Sequence, residues 1–244
     1  MTTPRSEIET IKIVREYTPS GTEIESWNAD EGNEGKIKCY VDGTSLIIAG
    51  NGAHSILANK DSDLLFRGTS SAEVFTNVQT IEGLSVLNTK NAETLMNAFF
   101  GLSNVKSLNG IENWNVKKCV KFKQCFGLCS KLESLDLTNW DFSSASAAAE
   151  SDPDNKELYA NIMTGCNSLL KLSFGKTCNT HAYGFVIPRP VNNGYWMNAN
   201  TEEVYNKIQN SGNYNPTMDG IPNPIETKQD LHLVPVYLEG TYEV

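Results

Sequence analysis

Chemistry in this chain would have to come from a small set of residues. Six cysteines occur, Cys39, Cys119, Cys125, Cys129, Cys166 and Cys178, with three histidines, His54, His181 and His232. There is no CxxC pair. Cys125 and Cys129 are four apart, which would place two thiols on one face of a helix, but zinc needs two further ligands at sensible spacing and the histidines are scattered. The cysteines therefore read as small buried thiols and not as metal ligands. "GNG" at 50–52 lacks the Lys-Ser/Thr and the helix of a phosphate loop, so it reads as a turn. GxSxG and HExxH are absent. Glu82 and Asp136 occupy equivalent positions two repeats apart. With neighbouring strands about 4.8 Å apart, they would lie about 10 Å from each other, at the margin for a two-carboxylate glycosidase. The expectation is a protein that is not an enzyme, with no catalytic residues, metal or cofactor.

The bulk properties narrow the partners. The 244 residues carry a net charge of −9, a pI near 4.9, 39% hydrophobic and 20% charged residues. That describes a folded chain long enough for a sizeable core. An acidic chain with no basic run is poorly suited to nucleic acid or an anionic membrane. No run approaches eighteen apolar residues, so membrane insertion is not expected. "MTTPRSEIETIKIVREYTPSG" has no apolar centre and does not read as a secretory signal.

What could position functional side chains is a repeat. "VQTIEGLSVLNT" from Val78 returns as "VKSLNGIENWNV" from Val105 and, nearly, as "LESLDLTNWDF" from Leu132. Val78, Ile81, Gly83, Leu84 and Leu87 map by 27 residues onto Val105, Leu108, Gly110, Ile111 and Trp114. Leu132, Leu135, Leu137 and Trp140 follow, and "LLKLSF" gives a truncated copy at Leu169 and Leu172. Phe99, Phe126 and Met163 share a column, as do Leu102, Cys129 and Cys166. A metal ligand would not alternate with leucine. Trp114 and Trp140 share the column of Leu87. Burying each removes roughly 150–250 Å² from water, about 4–6 kcal/mol at most, so they read as core.

Each unit divides in two. "LESLDL" alternates like a strand buried on one side. "NAETLMNAFFGL" spaces Leu95, Phe99 and Leu102 like one face of a helix. Strand plus helix in 26–27 residues cannot bury its own apolar face, so units should stack. The expected fold is α/β: a short leucine-rich-repeat solenoid, one strand and one helix per unit, with β-rich caps at both ends. Its expected parts are an N-terminal arm and β cap over 1–64, the solenoid over 65–176, and a C-terminal cap or appended β-rich region over 177–244. "GKIKCYVDGTSLIIAGNG" reads as two strands around "DGT". "GFVIPRP" and "LHLVPVYLEGTYEV" read as strands with edge prolines, and "TEEVYNKIQNSG" as a short helix. The segment 143–158 lengthens one unit and reads as a surface loop.

"LNTKNAETLMNAFFGLSNVKSLNGIENWNV", "CFGLCSKLESLDLTNWDFSSAS" and "MTGCNSLLKLSFGK" resemble the BspA-like leucine-rich-repeat surface proteins of bacteria, over about Leu65 to Lys176. The resemblance implies a non-enzymatic module displayed on a surface, extracellular and often adhesive, contacting a protein partner or cell-surface receptor. Two other readings fit the missing signal and anchor: a phage virion structural or receptor-binding protein among other subunits of a particle, and a cytoplasmic interaction protein. In a stacked solenoid the outward strand positions form two ladders on the concave sheet. One is Thr80, Ser107, Ser134 and Lys171. The other is Glu82, Asn109, Asp136 and Ser173. These eight are the candidate binding residues, with the 143–158 segment and the caps as a competing contact surface.

Overall fold

The computed structural model describes residues 1–21, 24–30, 34–52, 56–67, 74–152, 154–178, 185, 187–188, 195–200, 202, 204–205 and 231–236. Twelve strands form among them: β1 (Thr10–Val14), β2 (Glu25–Asn28), β3 (Lys38–Asp42), β4 (Ser45–Ala49), β5 (Ile56–Leu57), β6 (Thr80–Glu82), β7 (Leu87–Asn88), β8 (Ser134–Leu137), β9 (Lys171–Phe174), β10 (Tyr195–Asn198), β11 (Val204–Tyr205) and β12 (Leu231–Val236). The described residues contain one α-helix, α1 (Ser143–Ser151). One five-stranded sheet has the order β2-β3-β4-β1-β6, a second has β11-β10-β12-β9-β8, and β5 pairs with β7.

The "DGT" hairpin forms as its sequence requires. β3 and β4 are antiparallel with Asp42 opposite Ser45, and Gly43 turns the chain at φ +57°. The "IKIV" patch of the N-terminal region is a strand. It is β1, parallel to both β4 and β6, with Ile11 opposite Leu46 and Ile81. Its alternation buries Ile11 and Ile13 and turns Lys12 outward. Upstream, Glu25 accepts hydrogen bonds from the backbone of Thr2 and Thr3 and from the Thr3 hydroxyl. Burial pushes the Glu25 carboxyl up, but these bonds outweigh it and hold it at about 2, against an ordinary value of 4.5.

The strand-plus-helix solenoid is not what forms. Among the described residues the structure is mostly β, with three sheets and one α-helix, and that helix is not repeated from unit to unit. The segment expected to be helical, "NAETLMNAFFGL", is a run of turns. The reason lies in two left-handed positions. Asn97 has φ +55° and Gly101 φ +81°, which a right-handed helix cannot contain. The same two columns are left-handed again at Gln124 and Leu128, and at Asn161 and Gly165. With the chain kinked at these points, alternate N–H groups leave the segment. Leu95, Asn97, Phe99 and Gly101 donate to the carbonyls of Lys121, Lys123, Cys125 and Gly127 in the next unit, at 2.8–3.0 Å. The intervening Ala98, Phe100 and Leu102 close three-residue turns onto Leu95, Asn97 and Phe99. Phe122, Gln124, Phe126 and Leu128 repeat the pattern onto Leu158, Ala160, Ile162 and Thr164. Leu64 and Phe66 donate onto Met96 and Ala98, so a further copy of this half-unit precedes those found by sequence.

The expected columns do fill the core. Phe66, Phe99 and Phe126 stack at 5.3 and 5.5 Å between ring centroids and are buried with Met163. Trp114 and Trp140 stack at 6.1 Å, and each indole N–H donates to a carbonyl one unit back, Leu84 and Ile111. Burial of the ring and satisfaction of its one donor make both tryptophans structural.

The 143–158 segment is not a simple surface loop. Its alanine-rich start forms α1, as alanine's helix propensity favours. Ala145 and Ala149 are buried, and the Ser146 hydroxyl bonds to the Tyr159 hydroxyl at 3.0 Å and the Thr177 carbonyl at 2.8 Å. At the C-terminal side, β12 forms within "LHLVPVYLEGTYEV" as expected, and Pro235 lies beyond the stretch that pairs with β9. Phe185, Ile187 and Pro188 of "GFVIPRP" are not in a strand. Val204 and Tyr205, expected to be helical, form β11; the rest of "NKIQNSG" lies outside the described residues.

Three measurements test this account. Phe126→Ala removes a fully buried ring from the stacked column and should cost about 3–5 kcal/mol in a denaturation experiment; an unchanged transition would refute the column. Gly83 sits at φ +78°, and a Cβ there would meet the Ile13 carbonyl oxygen at 2.0 Å, so Gly83→Ala should destabilise by about 2–3 kcal/mol. For Glu25, the folded value lies below the unfolded one. Its contribution is complete above about 4.5 and is lost as pH falls toward 2. Melting temperatures recorded across that window should fall less steeply for Glu25→Gln than for the unsubstituted chain.

Candidate binding surface

The strand register places the expected ladder residues side by side where strands pair. Ser134 is opposite Lys171 and Asp136 opposite Ser173, while Leu135 and Leu172 point into the core. Thr80, Lys171, Glu82, Asn109 and Asp136 are exposed, and Ser107 and Ser134 are half-buried. Ser173 is the exception: it is fully buried. β12 lies against β9 with His232 opposite Ser173, and the imidazole Nδ1 is 3.0 Å from the Ser173 hydroxyl. The C-terminal strand thus closes that end of the second ladder.

The sequence reading missed a rung at the other end. β1 adds Thr10 opposite Thr80 and Lys12 opposite Glu82. Lys12 Nζ and Glu82 Oε2 are 3.8 Å apart at a solvated surface, a pair worth little to stability. The signal was present in "TIKIV", whose alternation matches "TIE" of β6. Asp136 is partly committed to structure, since its Oδ1 accepts the Thr138 N–H at 3.0 Å and shapes the turn after β8.

The face also has a gap in its backbone pairing. Gln79 N–H donates to the Glu9 carbonyl at 2.8 Å, Glu133 N–H to Lys106 at 2.9 Å, and Leu170 N–H to Glu133 at 2.8 Å. The corresponding bond from Lys106 to Gln79 is absent, and 105–109 is not a strand. The two five-stranded sheets therefore end on either side of this segment. A cavity of about 690 Å³ opens there, lined by Glu9, Asn77, Gln79, Thr80, Lys106 and Lys131 among others. Lys106 pairs with Glu133 at 2.9 Å, and Lys131 bonds the Asn104 side chain at 2.7 Å. The region offers hydroxyls, amides and a few charges of both signs, which suits recognition by many weak polar contacts.

The arrangement is unsuited to nucleophilic catalysis. Asp136, Ser173 and His232 follow one another across three strands, but the hydroxyl stands between carboxylate and imidazole. A working triad needs the imidazole in the middle and an accessible hydroxyl, and Ser173 is sealed. The cysteines are equally inert. All six are buried and unpaired. Burial pushes the Cys39 thiol up to about 11 and Cys119 to about 12. Cys125 and Cys178 are also raised by burial, and Cys129 by its hydrogen bond with Cys166 and by burial. At these five the thiolate, the reactive and metal-binding form, is thus suppressed near neutral pH. Cys119, Cys129 and Cys166 donate their S–H to the carbonyls of Ala92, Phe99 and Phe126 one unit back, at 3.0–3.1 Å. Cysteine can therefore replace Leu102 in its column without leaving a polar group unmatched. Among the described residues, no group of three or more His, Cys, Asp or Glu side chains could hold a metal ion, and no helix is long and apolar enough to cross a membrane.

The buried face of α1 yields a test of whether this segment is structural. Deleting residues 145–154 removes Ala145, Ala149 and the Ser146 bonds, so the variant should lose several degrees of melting temperature. A deletion variant that melts like the parent would return this segment to the status of a surface loop.

No curated protein and no solved structure matches the chain. Over residues 69–157, less than half of its length, the chain is similar to the family described as "Mycoplasma protein of unknown function, DUF285", which is associated with BspA-like surface proteins.

Proposed function

We propose that this protein is a non-enzymatic binding module displayed on a surface, contacting a protein partner or cell-surface receptor through the polar face that carries Lys12, Thr80, Glu82, Ser107, Asn109, Ser134 and Asp136. The observation that carries the reading is the division of labour along the corresponding segment of each unit. Inward residues such as Ile81, Leu108 and Leu135 are buried. Their outward neighbours Glu82, Asn109 and Asp136 are exposed, so the fold leaves them free to vary with a partner. The unpaired backbone beside Gln79 and Lys106 adds peptide groups that a partner can bond. The similarity over 69–157 to a family associated with surface proteins supports display outside the cell.

The test is direct. Fluorescently labelled protein is titrated onto intact mammalian cells and onto cells stripped of surface protein with trypsin, beside the double variant Asn109→Arg, Asp136→Arg. The parent should bind intact cells saturably and stripped cells weakly. The variant gives up the Asp136 bond to the Thr138 N–H, worth about 0.5–1.5 kcal/mol, so it should melt within about 6 °C of the parent at this chain length. It should bind at least about tenfold more weakly, as expected when two like charges enter an interface centre. Equal binding by the two proteins would remove this face from the proposal.

A further inference from the structure

On the opposite side of β1 from Lys12, a second cavity of about 700 Å³ lies between the β3–β4 hairpin and the Asn59–Phe66 segment. Its body is apolar. Ile13, Cys39, Ile56, Phe66 and Leu87 are buried in its wall, and Ile48 and Leu65 are half-buried there. Cys39 adds no charge, since burial holds its thiol up to about 11. The apolar part of this wall offers water few hydrogen-bond partners. The volume is that of a small-molecule site.

Its polar end has one sign. Asp30, Asp61 and Asp63 line the cavity and are exposed or half-buried. Asp30 is kept ionised: burial pushes its carboxyl up, but backbone N–H groups of Glu34 and Ile37 outweigh this and hold it below the ordinary value. The cation among the lining residues, Lys60, is taken by Glu93 at 3.0 Å. Asn59 and Asn91 supply neutral amides beside them.

We propose that this cavity binds a small amphiphilic cation, with an apolar body among Ile13, Ile48, Leu65 and Phe66 and a protonated amine at the Asp30, Asp61 and Asp63 end. An anionic amphiphile of the same length would face three carboxylates, and a neutral one would bring no charge to pair with them; each already accepts protein hydrogen bonds, Asp63 from Thr94 and Met96. The site is independent of the polar face, because Ile13 and Lys12 point to opposite sides of one strand.

The test uses the full chain and three ten-carbon probes, decylamine, 1-decanol and decanoate, at concentrations below micelle formation and near neutral pH. Isothermal titration should give one saturable decylamine site at least about tenfold tighter than 1-decanol, the factor a charge-assisted hydrogen bond supplies, and no decanoate binding. Asp61→Asn keeps the oxygen that accepts the Asp63 N–H and should narrow the amine-over-alcohol ratio severalfold while alcohol binding persists. Ile48→Trp and, separately, Leu65→Trp fill the cavity and should abolish binding of both. Circular dichroism identifies the variants that retain the fold. Equal affinity for amine and alcohol, absence of binding, or undiminished binding to a folded, filled variant would each overturn the proposal.

Discussion

The hydrogen bond from an N–H in one unit to a carbonyl in the next governs this structure. At Leu95, Asn97, Phe99 and Gly101 the backbone faces its neighbour every second residue. Each such bond contributes about 0.5–1.5 kcal/mol net, a modest sum. Its larger effect is geometric. Two units can bond along a whole turn segment only if both bend at the same places, so the left-handed residues must recur in register. They do: Leu64, Asn97, Gln124 and Asn161 form one column, and Gly101, Leu128 and Gly165 another. A left-handed leucine is locally unfavourable. It is tolerated at Leu128 because units on both sides bond the bent backbone, and at Leu64 because the next unit accepts its N–H. The exposed Leu128 side chain also lies against Gly165, where a Cβ would meet its Cδ2 at 2.8 Å.

Fixed spacing then dictates the core. Residues one unit apart lie over one another, so like stacks on like. Phe99 and Phe126 are almost parallel, 8° between planes, and Trp114 and Trp140 differ by 9°. Offset stacks of this kind add about 0.5–1.5 kcal/mol beyond their area. The polar atoms of these buried columns obey the same spacing: both indole N–H groups and three thiols bond carbonyls of the preceding unit. Cys119, Cys129 and Cys166 thus take their places from the repeat.

How much of this was legible follows from what a repeat reveals. Matching offsets within each unit identify columns whatever the backbone does between them, so Phe99–Phe126–Met163 and Leu102–Cys129–Cys166, each a fixed distance before Val105, Leu132 and Leu169, were readable from residue types and spacing alone. The backbone itself was not. Leu95, Phe99 and Leu102 fit a helical face, but the same burial pattern arises from turns that send every second N–H across to a neighbour. Asn97 and Gly101 were the available hint, since Asn and Gly tolerate the left-handed region. Gln124 and Leu128 in the same columns concealed it. The alanine-rich start of 143–158 carried a helix signal that its place in an insertion obscured. Of the eight ladder residues, seven lie outside the core. Ser173 could not be recognised as buried, because its partner on the covering strand, His232, lies 59 residues further along the chain, beyond any local pattern.

The two ends of the stack differ in how they are closed, and this bears on where ligands can sit. At the C-terminal side, β12 lies directly on β9, His232 meets Ser173, and Phe185 packs on Tyr159 and Phe174. The apolar columns end against matching apolar side chains. At the N-terminal side the first sheet extends the polar face through β1, but its core side meets the short β5–β7 pair and the Asn59–Phe66 segment less completely. The pocket at the N-terminal side lies against the β3–β4 hairpin. The exposed rungs lie between these ends. Their side chains are held in register by the repeat yet contribute little to it, so this surface can change its chemistry without changing the fold.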